Sequence, residues 1–233
     1  MNRSLLTRDL PKRAVRKLVR ESRSRVIPRY RALHVGQANS LCTVQRLAGL
    51  QRLADYVAGR ALPGDMVECG VFKGGSAAVI AERLLRRAPG RRVWLLDVFG
   101  GMPEPGPNDP PNAWDYVGKF VSSEATVLHT LASAGVPREN VRMVVGRYED
   151  TLASVPSFPI AFLHLDCDWY ESVKLCLDKF YDSVVPGGVV VFDDYGFWTG
   201  CRKAVDEFLA GRLINVSLTP IDTESHYFIK PRV

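Results

Sequence analysis

Apolar runs of strand length alternate with stretches of helical periodicity along most of the chain. Leu10, Ala14, Val15, Leu18 and Val19 recur at helical spacing with Lys12, Arg13, Arg16, Lys17 and Arg20 between them. That spacing predicts a short amphipathic basic helix from Leu10 to Arg20, ended before Pro28. A second amphipathic stretch, Ser40 to Ala58, sets Leu41, Val44, Leu47, Leu50, Leu53, Ala54 and Val57 on one face, suited to packing on a sheet. After the Pro63-Gly64 break, DMVECG reads as the first strand, and RRVWLLD, ending at Asp97, as the second. Val141–Val145 is the third, PIAFLHLD the fourth, ending at Asp166, and a run entered through Pro186-Gly187-Gly188 the fifth. Helices are predicted over Ser76–Arg87, Val121–Ala134, about Tyr170 to Tyr181, and Arg202–Leu209. The tail, LINVSLTPIDTESHYFIK, supplies two short strands with a turn near Asp222. The alternation predicts an α/β fold: a mostly parallel central sheet with helices on both faces, closed by a C-terminal antiparallel hairpin.

Between the second strand and the next helix, MPEPGPNDPPNAW holds five prolines in thirteen residues. It cannot be helix or central strand, and reads as an exposed loop, either a lid over a site or a surface excursion. There are no internal repeats and no low-complexity tracts.

Composition changes the picture at one end only. The net charge is +6, but residues 1–31 carry eleven Lys and Arg against Asp9 and Glu21, so this segment is basic and the remainder slightly acidic. The expected organisation is therefore a basic N-terminal arm and helix over residues 1–39 and a catalytic domain over residues 40–233. The arm suits packing on the body or on a second subunit, or contact with an anionic membrane. No aromatic or base-reading pattern follows it, which argues against nucleic acid. No apolar run reaches the roughly 18 to 20 residues of a membrane span, so a soluble, cytoplasmic protein is expected. The five cysteines, at 42, 69, 167, 176 and 201, show no CxxC spacing and read as reduced thiols.

Two stretches carry chemistry. The fourth and fifth strands break abruptly into carboxylates, bringing Asp166, Asp168, Asp193 and Asp194 to one rim of the sheet. Pairs of them about 5 Å apart would repel by about 3 kcal/mol at an effective dielectric near 20. Protons, an arginine or a hard cation must offset this, and Mg²⁺ with oxygen ligands suits such a rim. The second stretch is ECGVFKGGSAA, Glu68 to Ala78. Gly70, Gly74 and Gly75 allow a tight turn and close backbone approach to a ligand, with the free N–H groups of a helix opening at Ser76. It is not the G-x-G-x-x-G dinucleotide fingerprint. Asp97 ends the next strand about twenty residues on, where a carboxylate commonly accepts from ribose hydroxyls, so loop and acid together point to an adenosine-containing ligand. His164 shares the Asp166 side of its strand and reads as a buried, hydrogen-bonded histidine. Trp169, Tyr170, Tyr195, Phe197 and Trp198 follow the acidic blocks and divide between acceptor pocket and core.

The ordered blocks PGDMVECGVFKGGS, LLDVFGGMP, GRYEDTL, LDCDWYES and PGGVVVFDDYG, spread from about Ser40 to Leu209, resemble the macrocin O-methyltransferase family. The resemblance implies a Rossmann-like class I methyltransferase fold using S-adenosylmethionine and Mg²⁺ to methylate a sugar hydroxyl of a glycosylated natural product. It implies Mg²⁺ ligands at Asp166, Asp193 and Asp194, with Asp168 as general base. Glu68 and Gly70 would line the methionine end of the cofactor, Asp97 the ribose, and the segment around Glu149 and Asp150 the adenine. Partners are then a small-molecule glycoside or glycan and further copies of the chain, since the family tends to assemble as homo-oligomers. Cys167 stands where the family usually has glycine, and Lys73 where it has arginine. Competing readings are a methyltransferase for a catechol or other vicinal diol, a nicotinamide-dependent (NAD) oxidoreductase, and a non-catalytic assembly protein acting through the arm.

Overall fold

The computed structural model describes residues 28–232; the basic helix expected over Leu10–Arg20 lies outside them. The chain runs α1 (Pro28–Ala38), α2 (Val44–Gly59), β1 (Asp65–Cys69), α3 (Gly75–Arg87), β2 (Val93–Asp97), α4 (Glu124–Ala134), β3 (Val141–Val145) and the single turn α5 (Tyr148–Thr151). It continues through β4 (Ile160–Leu165), α6 (Tyr170–Phe180), β5 (Val184–Phe192), α7 (Thr199–Gly211), β6 (Thr219–Pro220) and β7 (His226–Ile229). The strands form one seven-stranded sheet in the order β3-β2-β1-β4-β5-β7-β6. The first five are parallel, and β7 pairs antiparallel with β5 and with β6. The predicted fold class and hairpin are therefore present. The order reverses between β1 and β4, the place where open α/β sheets bind ligands outside the strand ends.

Period-two alternation sorts the strand side chains between two cores. Met66, Leu95, Phe162, Val189 and Val191 meet α2, α3 and α4 on one face. Val67, Leu96, Leu163, Leu165, Val190 and Phe192 meet α6 and α7 on the other. Glu68 and His164 keep step with Met66 and Phe162 and so point to the α2 side, buried in the first layer.

Several boundaries differ from the sequence expectation; the last helix, for one, starts at Thr199 and not Arg202, and three others have a clear local reason. Helix α2 starts at Val44 because the Thr43 side chain caps it by accepting from Arg46 N–H at 3.0 Å; Leu41 and Val44 are consequently exposed instead of joining the buried stripe. Helix α4 starts at Glu124, capped by Ser123. Strand β5 starts before Pro186, with Gly187 at φ +84° and a register shift opposite β4. Residues 28–38, counted with the arm on charge, form α1 and lie on α3: Ala32 is fully buried, and a Cβ on Gly36 would meet Val79 at 2.6 Å. Among the described residues no helix is long and apolar enough to cross a membrane.

Candidate active site

At the C-terminal ends of β1, β2, β4 and β5 the structure opens a cavity of about 940 Å³, a size that accommodates a small-molecule cofactor and part of an acceptor. Its floor is the turn after β1. Gly70 sits at φ +84°, where a Cβ would collide with the Asp166 carbonyl, so only glycine lets the β1 and β4 ends meet. Asp97 braces this turn. Its Oδ2 accepts the N–H of Val71 at 2.7 Å and of Phe72 at 2.9 Å, and its Oδ1 accepts that of Phe99 at 2.7 Å. Phe72 and Phe99 hold left-handed backbone, φ +50° and +55°, unusual for bulky residues, and the shared carboxylate holds both.

Gly70, Ser76, Asp97 and Glu149 line the cavity with Asp166, Asp168, Asp193 and Asp194. Four other sequence candidates do not. Gly74, at φ +82°, faces Val127 of α4, and a Cβ on Gly75 would meet the Gly36 and Asn39 carbonyl oxygens at 2.6 and 2.7 Å, so both glycines are needed for close helix packing. Asp150 is exposed and does not line the cavity. Glu68 is fully buried beneath the floor, where its Oε1 pairs with His164 Nδ1 at 2.8 Å.

That pair begins a buried chain of charge. His164 Nε2 meets Asp193 Oδ1 at 3.2 Å, and Arg46, 5% exposed on α2, donates from Nη1 to Asp193 Oδ2 at 2.6 Å. Arg46 continues to the hairpin turn, donating from Nε to Asp222 Oδ2 at 3.0 Å and from Nη2 to Glu224. Burial works against a charge on His164, but its bonds to Asp193 and Glu68 raise its pKa well above the usual histidine range. Burial likewise works against ionised Asp193, and His164 and Arg46 outweigh it and lower its pKa.

Arg46 neutralises one corner of the rim and leaves the rest. Burial, then the neighbouring acids, pushes Asp166 and Asp194 well above the usual carboxylate range. Asp194 Oδ2 is buried without a hydrogen-bond partner. Carboxylate oxygens, one of them orphaned, fit a hard divalent cation. The ligand atoms of Cys42, Asp166 and Asp193 lie within 4.8 Å of one another, as do those of Glu68, His164 and Asp166.

Asp168 follows in a left-handed turn, φ +57°, which its short polar side chain tolerates. Trp198 Nε1–H donates to its Oδ1 at 3.0 Å. Burial pushes the Asp168 pKa up to about 7 against that hydrogen bond, with Asp193 adding to the rise. Trp198 is held by edge contacts with Trp169, Tyr116 and Phe197, ring centroids 5.0, 5.2 and 4.7 Å away.

The proline-rich segment is tied over the cavity, which it lines with Met102, Pro103, Glu104 and Gly106. Trp169 Nε1–H donates to the Pro103 carbonyl at 2.8 Å. Asp109 accepts from Gly106 N–H at 2.8 Å and from Tyr170 N–H, at the start of α6, at 2.9 Å. Arg46, Asp109 and Trp198's bond to Asp168 were not singled out from sequence. The Arg46 signal was present: it lies four residues before Leu50, on the face of α2 that packs inward.

The sequence profile of the family described as Macrocin-O-methyltransferase (TylF) matches residues 9–230, reaching back into the basic arm beyond the Ser40 start of the five motifs. Demethyldecarbamoylnovobiocin O-methyltransferase of Streptomyces niveus is 33% identical over 202 residues, covering 84% of this chain and 77% of that protein. A tetracenomycin-C 4'-O-methyltransferase of Streptomyces olivaceus, acting on the 8-demethyl-8-(2,3-dimethoxy-alpha-L-rhamnosyl) compound, is 33% identical over 193 residues, covering 79% and 73%. The solved structure of the O-methyltransferase NovP superposes with a TM-score of 0.75 at 31% identity, covering 83% of each chain. Matched over nearly its whole length, the chain belongs to the macrocin O-methyltransferase family and is an O-methyltransferase.

Proposed function

We propose that the protein transfers a methyl group from S-adenosylmethionine to a sugar hydroxyl of a glycosylated natural product or glycan, with Mg²⁺ held by Asp166, Asp193 and Asp194 and Asp168 as general base. One observation carries this reading: four carboxylates at the ends of the neighbouring strands β4 and β5 share a cavity with the glycine turn of β1. The two relatives' names, one of them specifying a rhamnosyl compound, support the acceptor class. Half-exposed Phe197, Leu175 and Phe120 line the cavity, an apolar surface suited to an aglycone while the sugar reaches the acids.

When bound, S-adenosylmethionine supplies an electrophilic methyl on sulfur, and a divalent cation lowers the pKa of a coordinated hydroxyl. The chain's own residues then position and deprotonate. Methyl transfer is an in-line displacement, so the acceptor oxygen must be aimed and made nucleophilic. The Gly70 turn, braced by Asp97, admits the cofactor against backbone. Of the four acceptor lobes on Asp97, three already take backbone N–H groups, leaving Oδ1 with one for a ribose hydroxyl. Trp198 fixes Asp168 through Oδ1, leaving Oδ2 to accept the hydroxyl proton. The loop pinned by Trp169 and Asp109 forms one wall of the cavity at Met102, Pro103, Glu104 and Gly106.

The test is calorimetric titration of S-adenosylhomocysteine and, separately, Mg²⁺ into wild type and Asp166→Asn, followed by an acceptor screen. The expected result is binding of both by wild type and loss of Mg²⁺ binding in the variant. S-adenosylhomocysteine binding without Mg²⁺ binding would keep the methyltransferase and remove the cation mechanism. Turnover of simple catechols but of no glycoside would move the acceptor class.

A further inference from the structure

The turn between α1 and α2 delivers a sulfur to the acidic rim. Cys42 lines the cavity, and its Sγ together with one carboxylate oxygen each from Asp166 and Asp193 form a set within 4.8 Å of one another. Its place is fixed at both ends. Ser40 Oγ donates to the Gly36 carbonyl at 2.9 Å, and Thr43, the next residue, caps α2 through Arg46 N–H. Arg46, one helical turn on, grips Asp193 itself. Cys42 and Asp193 thus belong to one tightly bonded unit. Independently, Asp194 is 9% exposed, lines the same cavity and has an orphaned Oδ2.

We propose that Cys42 Sγ is a ligand of the cation site at the ends of β4 and β5 when that site takes a borderline divalent ion such as Co²⁺ or Zn²⁺, which it accommodates as well as Mg²⁺. The inference rests on reading the acidic rim as a cation site. An all-carboxylate set suits a hard cation that keeps much of its water; adding one thiolate shifts the set toward softer ions, which bind sulfur strongly and tolerate lower coordination numbers. Ligation expels the thiol proton to solvent, so the sulfur binds as thiolate, and no oxidant or reductant takes part.

The experiment is titration of Co²⁺ into the metal-free full-length protein. Visible d–d bands report any bound Co²⁺, and the near-ultraviolet sulfur-to-cobalt charge-transfer band reports a thiolate ligand. Wild type should show both, and Asp166→Asn should weaken both. Cys42→Ser should keep the visible bands, lose the charge-transfer band and bind Co²⁺ about tenfold or more weakly, with Mg²⁺ affinity by calorimetry within about twofold of wild type. Visible bands without charge transfer in wild type overturn the sulfur ligand and leave the cation site standing. A charge-transfer band that survives in Cys42→Ser also overturns it, by assigning the sulfur to another cysteine. If wild type binds neither Co²⁺ nor Mg²⁺, the cation site itself fails, and the proposal with it.

Discussion

Replacing Arg46 by methionine keeps most of the side-chain volume and removes the charge. Its partners differ in weight. The Asp193 side chain is 3% exposed and that of Asp222 7%, whereas Glu224 is 39% exposed and its pair is screened by water. Each of the two buried pairs is worth about 4 kcal/mol of attraction at an effective dielectric near 20. Desolvation of the three charges offsets much of that, so the intact network stabilises only modestly. Removing one partner is another matter, because Asp193 and Asp222 then stay buried with their compensation gone. The expected loss is about 3–5 kcal/mol, read as a drop in the urea midpoint at unchanged slope. Arg46→Lys should fall between, since a single ammonium can reach Asp193 or Asp222 but not fork between them. A double-mutant cycle with Asp222→Asn should return about 1–3 kcal/mol of coupling. If Arg46→Met costs less than about 1 kcal/mol, the buried carboxylates are relieved by something other than Arg46, and the ion-pair reasoning is wrong.

Trp198→Phe keeps a ring among Trp169, Tyr116 and Phe197 but deletes the N–H that holds Asp168; kcat/KM should fall about tenfold to a hundredfold with the fold intact by circular dichroism, and an unchanged value would remove Asp168 from the proton path. Gly70→Ala places a Cβ against the Asp166 carbonyl in left-handed backbone, so it should cost at least about 2 kcal/mol and abolish S-adenosylhomocysteine binding, measured by unfolding and calorimetry. Arg46 and the backbone N–H groups of Ser225 and Glu224 overcome the burial of Asp222 and lower its pKa to about 2. A carboxylate with a depressed folded pKa contributes stability above its unfolded value and loses it as pH falls through the folded one. Asp222→Asn should therefore cost about 2 kcal/mol at pH 7, with the gap to wild type closing between about pH 4 and pH 2. A gap independent of pH would assign the loss to packing instead of charge.

The features legible in the sequence are those that a strand or turn must encode locally. A parallel strand buried on both faces needs an unbroken apolar run, and its C-terminal end is where polarity can begin; hence IAFLHL into Asp166 and VVVF into Asp193 located both strands and the acidic rim. The glycines were harder, because two different needs leave the same letter. Gly70 is required by φ +84° and the approach of the β4 backbone, whereas Gly75 has no positive φ and is small because α1 lies against it. Helix α1 itself was hidden for the same reason. It docks through the buried Ala32 and Gly36 with Val35 partly buried beside them, so its sequence shows no broad apolar stripe for a periodicity reading to find.

The counter-charge of the rim was out of reach in a different sense. That four acids at two strand ends need neutralising follows from electrostatics alone, and an arginine was among the three candidates. Which arginine depends on a contact between residues 147 positions apart, made only once α2 lies across the sheet and the hairpin has folded back beside β5. The local cue, a charge on the inward face of α2, identifies a residue that must be paired without identifying its partner. The partner is fixed by topology. Asp193, directly after β5, reaches Arg46 in the N-terminal turn of α2, and the β6–β7 turn brings Asp222 to the same guanidinium. A single buried arginine therefore ties the helix, the hairpin and the acidic rim together. Loss of Arg46 should for this reason weaken cation binding as well as the fold, because Asp193 would keep only His164 to hold it in place.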